Sequence, residues 1–194
     1  MHFPVHLLIP LACGFTYVVG ALCLKGAAMH GAGVWRSTFV ANWVMALVFM
    51  PLWFWREPLA VPLAAVWWHP VVTALLFTLA QLLIYLAISS GDVSVTTPVM
   101  GTKSVWVALF SSVLLAQPIP VSWWIAAGLG AVAVALLGIG RGGQHRRVGF
   151  SVAWTLVGAV LFSLCDTLTA KWVAALGLPR FLPMMMLAMG VMAI

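Results

Sequence analysis

The sequence predicts an all-α integral membrane protein, a multi-pass helical bundle, and three observations carry that reading. Hydrophobic residues make up 64% of the 194 positions and charged residues only 6%. A soluble domain carries about a quarter of its residues as charges, so so few charges could not cover a surface facing water. The apolar residues also fall in long continuous runs. They lack the period-two alternation of a membrane barrel, and helices satisfy their own backbone in lipid.

Seven runs follow in order: Leu7–Leu24, Ser37–Trp55, Val71–Ser89, Val93–Ala116, Val121–Ile139, Ser151–Trp172 and Phe181–Ile194. The first six approach the roughly 20 residues that cross a bilayer core. The first run has no Lys or Arg before it and no clear small-residue cleavage site after it, so it is expected to be retained as a helix. Lys25 to Arg36, with Gly26, Gly31 and Gly33, closes it. Arg56, Glu57, Pro58 and Pro62 end the second; Gly91 and Asp92 divide the third from the fourth. Gln117, Pro118 and Pro120 divide the fourth from the fifth. Trp53, Trp55, Trp67, Trp68, Trp123 and Trp124 lie near run ends, where an apolar ring with a polar N–H meets the membrane interface. The stretch from Arg141 to Arg147 is the longest polar segment and the expected boundary between two halves.

A weak internal repeat supports that boundary. Aligning Lys171 with Lys25 places Gly177 on Gly31 and Phe181 on Trp35. With five spans before the linker, the second repeat would be inverted, as in many secondary transporters.

The net charge of +6 comes from nine Lys and Arg against three acids. The bases stand one or two at a time between apolar runs, which suits headgroup anchoring and argues against nucleic acid as a partner. Membrane lipid and a small-molecule substrate are the expected partners. Cys13, Cys23 and Cys165 lie inside apolar runs without metal spacing, and the five histidines are scattered near run ends. Met184, Met185, Met186, Met189 and Met192 read as apolar helix, since no cysteine or histidine accompanies them in the segment. No phosphate loop, nucleophile elbow or paired carboxylates occur, so neither an enzyme nor a cofactor is expected.

Ionisable residues in lipid are costly and are functional candidates for that reason. Lys103 lies about mid-run, behind Pro98, which removes a backbone donor, and Gly101, which weakens the helix. Such a break is expected to free carbonyls that line a cavity. Asp166 is the acid well inside a run, and either pairs with Lys103 across the halves or is solvated near a helix end. Gln81 and Tyr85 are one turn apart and share a face. With Asn42, Thr96 and Thr97 they are expected to line one polar core around Lys103. Ala127, Ala131 and Ala135, flanked by Gly130 and Gly138, form a small-residue stripe suited to close helix packing or a homodimer face.

The stretch from Ser90 to Ser104 resembles the third-to-fourth helix junction of EamA-type members of the drug/metabolite transporter superfamily. Val105–Gly140 is similar to the end of that domain, and Ser163–Trp172 looks like the opening of a second EamA repeat. The resemblance covers the whole chain through soft patterns of small and apolar residues. It implies ten helices in two inverted five-helix repeats, in the bacterial cytoplasmic (inner) membrane. It also implies a central cavity that exports or exchanges small metabolites by alternating access. On this reading residues 1–140 are the first repeat, 141–150 a basic linker, and 151–194 the start of a truncated second repeat, with about seven helices of ten. Where family members often carry a glutamate after the fourth helix, Gln117 stands here, so no role of that acid carries over. The alternative is a non-transporting scaffold or subunit that needs a second polypeptide to complete the fold. The family pattern places the N-terminus in the cytoplasm, whereas Lys25, Arg36, Arg141, Arg146 and Arg147 on one side favour the opposite orientation.

Overall fold

Long apolar runs become helices here because a backbone in lipid must satisfy its own donors and acceptors. The computed structural model describes residues 8–55, 61–90, 96, 99–116, 118, 120–138 and 145–194. Among these no strand occurs. Helix α1 is Leu8–Met29 and α2 is Val34–Phe49, continued by a 3-10 segment over Met50–Phe54. A one-turn helix α3, Leu63–Val66, precedes α4, Trp68–Ser90. Then come α5, Lys103–Leu114; α6, Val121–Gly138; α7, His145–Leu176; and α8, Leu178–Met192.

Four stretches are long and apolar enough to cross a membrane: Ala12–Met29, Val34–Phe54, Leu63–Ser89 and Gly149–Leu176. Lys103–Leu114, Val121–Gly130 and Leu178–Met192 are shorter apolar helices. The seven expected runs therefore each contain a helix, with shifted ends. Two shifts have a physical cause. The fourth run is interrupted: Thr96, Val99 and Met100 are helical, Gly101 and Thr102 form a turn, and α5 starts at Lys103. The sixth run starts early, because α7 begins at His145 inside the stretch read as linker. Hydropathy cannot register a polar helical turn. Arg141 to Gln144, Thr97, Pro98 and Gln117 lie outside the described residues.

The centre of the bundle is an antiparallel pair, α4 against α7, which shares more packing than any other pair of described helices. Gly158 explains the close approach. A Cβ at that position would lie 2.8 Å from Cδ1 of Ile84 and 3.4 Å from the carbonyl of Ala80. Ala80, Ala87 and Ala159 are fully or almost fully buried nearby, so small side chains let the two backbones near one another. A hydroxyl and a thiol stitch the same seam. Ser151 Oγ donates to the Ala87 carbonyl at 2.7 Å, and Cys165 Sγ to the Thr73 carbonyl at 3.4 Å. At the far end Trp172 stacks on His69, with centroids 4.5 Å apart and planes 9° from parallel.

Helix α8 closes one flank by packing on α4 and α2. Phe181, Met185, Met186 and Met189 interlock there with Ala46, Val66, Ala74 and Cys165. Met185, Met186 and Met189 are thus core and Met192 is exposed, all on the apolar helix that their sequence context implies. Gly177, at φ 73° and ψ 145°, makes the reversal from α7 to α8 in a backbone region that side chains avoid. Helix α1 packs on α4 through Ala21 and Leu24 against Ile84 and Ile88, and through Lys25 Nζ donating to the Ile88 carbonyl at 2.9 Å. Phe15, Leu47, Val113 and Leu129 are each about two-thirds or more exposed, and in a bilayer these faces meet lipid. Of the small-residue stripe on α6, Ala127 is buried; the side chains of Ala131 and Ala135 lie outside those described.

Candidate functional site

Lys103 opens α5, and that position is electrostatically awkward. A helix N-terminus carries partial positive charge, which disfavours a lysine and favours an anion. The structure supplies the anion: Lys103 Nζ lies 2.6 Å from Oδ2 of Asp166 on α7. The pair joins the segment after the chain's break to the first helix beyond the basic stretch. Of the two readings of Asp166, pairing is the one the geometry takes.

The surroundings fix the pair in place. Ser163 Oγ, one turn before Asp166, lies 3.1 Å from the Lys103 carbonyl and 2.7 Å from the Ala159 carbonyl. Lys103 Nζ also sits 5.5 Å from the centroid of the Phe162 ring, within range of a cation–π attraction. Phe162 meets Phe77 of α4 edge to face, centroids 4.9 Å apart. One ammonium therefore touches a carboxylate and an aromatic face of the same helix. The side chains are 34% and 47% exposed, so the pair is not sealed by the described residues.

The turn before α5 carries its own hydrogen bonds. Freed carbonyls at the break are satisfied locally. The Val99 carbonyl accepts from the N–H and hydroxyl of Thr102, and the Gly101 carbonyl from the N–H and hydroxyl of Ser104. Those serine and threonine hydroxyls stabilise the break. What the break achieves is to present Lys103 at a helix start, facing α7.

The other candidates divide. Gln81 Nε2 donates to the Tyr85 hydroxyl at 2.9 Å, which realises the shared face read from their spacing. That rung stands one turn beyond Phe77, the neighbour of Phe162. Thr96 is buried. Asn42 is fully buried and donates from Nδ2 to the Met189 carbonyl of α8 at 3.2 Å. Its partner is thus on α8, away from the α5–α7 pair, and the single polar core expected around Lys103 is split into groups. Thr97 lies outside the described residues. Among the described residues no cluster of three His, Cys, Asp or Glu could hold a metal ion. Sequence reading passed over Ser163 and Phe162. A serine and a phenylalanine in an apolar run give no signal until α5 is docked against them.

Residues 5–139 match the EamA-like transporter family. The chain belongs to that family. No curated protein and no solved structure matches it. Family membership agrees with the long apolar helices and makes this an integral membrane protein of transporter type. EamA-like proteins are transporters rather than enzymes, in keeping with the lack of catalytic motifs in the sequence.

Proposed function

We propose that this EamA-like chain moves a small polar or amphipathic metabolite across the cytoplasmic membrane by alternating access, with the Lys103–Asp166 pair as the centre of its substrate site. The observation that carries this is the pair itself: opposite charges 2.6 Å apart, joining α5 to α7, each partly open. A charge in a bilayer is retained at a cost, and paired charges facing a bundle interior mark substrate and ion pathways among other roles. In the closed pair each charge neutralises the other. A cargo group of either sign can displace one partner and take its place, so binding and the separation of α5 from α7 become one event. Phe162 would then offer its ring to the apolar or cationic part of the cargo.

Rocking of the segment before residue 141 against the segment after it would carry the site from one side to the other. The domain division at 141–150 is part of this proposal. A panel of radiolabelled metabolites, offered to inverted membrane vesicles energised with a proton gradient, tests it. At least one should accumulate in a gradient-dependent way, and Lys103→Met should abolish that accumulation. Equal uptake in vesicles with and without the protein, across the panel, would refute the reading.

A further inference from the structure

Asp166 is the one acidic side chain among the described residues, and Lys103 Nζ holds its Oδ2 at 2.6 Å. Neither member is sealed, at 34% and 47% exposed. A cargo with a single charge disturbs this balance. An anion that takes Lys103 leaves the Asp166 carboxylate without its cation. A cation that takes Asp166 leaves Lys103 without the one described acidic side chain. Removing one member of an ion pair from its partner in a medium of low dielectric is the costly change, because the other charge stays there uncompensated. A cargo that brings both charges avoids either loss. Its carboxylate takes Lys103, its ammonium takes Asp166, and the charges alternate in sign.

The residues around the pair sort the two ends of such a cargo. Phe162 and Asp166 are one turn apart on α7 and share a face. The Lys103 ammonium lies 5.5 Å from the centroid of the Phe162 ring, so an ammonium that takes its place at Asp166 comes within reach of the same ring. Phe77 braces that ring edge to face, with centroids 4.9 Å apart. Lys103 in turn opens α5, whose positive end adds to its attraction for a carboxylate. The Ser163 hydroxyl, 3.1 Å from the Lys103 carbonyl, fixes that end of α5 on α7. The cationic half of the cargo thus belongs to α7 and the anionic half to α5.

We propose that the Lys103–Asp166 pair selects a compact zwitterion, net neutral, with its ammonium and carboxylate one to three carbons apart. This class rests on the reading of the pair as the substrate site. The spacing follows from the pair's own. Its charged atoms are 2.6 Å apart when closed, and charges one to three carbons apart are separated by about 3–5 Å at ordinary bond lengths. A cargo of that span engages both partners with little parting of α5 from α7. A longer zwitterion reaches both only by folding back on itself.

The experiment measures Tm of the purified full chain in detergent against rising concentrations of matched ligands, at about pH 6.5, where an α-ammonium stays protonated. Glycine, leucine and phenylalanine are the zwitterions. Their amides carry only the ammonium, and their N-acetyl derivatives only the carboxylate. At least one zwitterion should stabilise the protein saturably, and its amide and N-acetyl forms should bind about tenfold more weakly or worse. The long zwitterion ε-aminocaproate should bind as weakly as they do. Lys103→Gln should turn the ranking toward the amide, and Asp166→Asn toward the N-acetyl form, a swap that loss of fold cannot imitate. The comparison in the parent protein stands by itself where a variant does not fold. No response to any zwitterion, or single-charge analogues that bind the parent as tightly, would overturn the class. A ranking unchanged in both variants would place the binding elsewhere and remove the pair as the substrate site as well. Selective zwitterion binding without uptake in vesicles would uphold the class and count against transport alone.

Discussion

A lysine at the first position of a helix meets the positive end of the helix dipole, and one in lipid meets a medium that cannot solvate it. Asp166 relieves both conditions at Lys103, which is why the two are expected to depend on each other. Lys103→Met leaves a carboxylate without its partner, and Asp166→Leu leaves an ammonium. Either change should lower the yield of folded protein in fluorescence-detected size-exclusion chromatography. The double change Lys103→Met with Asp166→Leu should recover much of that yield while transport stays absent. Full recovery of uptake in the double variant would remove the pair from the mechanism. Both members were legible in the sequence, because a charge in an apolar run stands out. Asn42 was legible as a polar residue but not as a neighbour of α8. Its contact depends on a reversal at Gly177 that brings Met189 beside it, 147 residues away. The buried hydroxyl of Thr78, without a hydrogen-bond partner among the described residues, was hidden too, since a threonine in a helix ordinarily bonds its own backbone.

Between elements, the seam of α4 and α7 depends on the absence of one side chain. Gly158→Val would drive new carbon atoms into Ile84 and the Ala80 carbonyl. Overpacking of this kind costs about 1–3 kcal/mol, so Tm should fall by several degrees. Adding Ile84→Val removes the Cδ1 atom that lies 2.8 Å from the new Cβ and should restore part of the loss. If Gly158→Val melts like the parent, the seam is looser than its geometry implies. Gly177→Ala is a second test. A side chain in that backbone region costs about 1–3 kcal/mol, and the loss should appear as early proteolysis at the α7–α8 turn. The helical runs were legible because most of the apolar stretches near the thickness of a bilayer core. Their ends were not. Polar His145 and the arginines after it look like linker by composition, yet they form the opening turns of α7. The one-turn helix α3 between Pro62 and Trp67 is too short to leave a periodicity in sequence.

Over the whole molecule, charge and register combine to sort the two ends of the bundle. Lys25 reaches the last turns of α4 through the Ile88 carbonyl, and Ser151 reaches the Ala87 carbonyl from early in α7. Lys25, the C-terminal end of α4 and the start of α7 therefore lie at one end, together with the arginines that open α7. With Lys171 and Arg180 toward the other end, and Arg56 following α2 in sequence, the positive-inside rule favours that end as the cytoplasmic one by a modest margin, an orientation that labelling tests. A cysteine placed at Gly142 should accordingly resist a membrane-impermeant maleimide in intact cells and react after permeabilisation. Labelling in intact cells would instead uphold the family's orientation, with the N-terminus in the cytoplasm.

The length of α7 bears on the choice of host membrane. Its 32 residues span about 48 Å at 1.5 Å per residue, against a hydrocarbon core of roughly 30 Å. Helix α4, with 23 residues, spans about 34 Å. Tied to α4 along the Gly158 seam, α7 cannot tilt alone to bury its excess. The bundle must lean as a unit, or the arginine-bearing turns must stand proud of the lipid. Acyl-chain length then acts as a dial on the tilt of the whole bundle. Uptake measured in vesicles of graded acyl-chain length, from about 14 to about 22 carbons, should pass through an optimum rather than stay level.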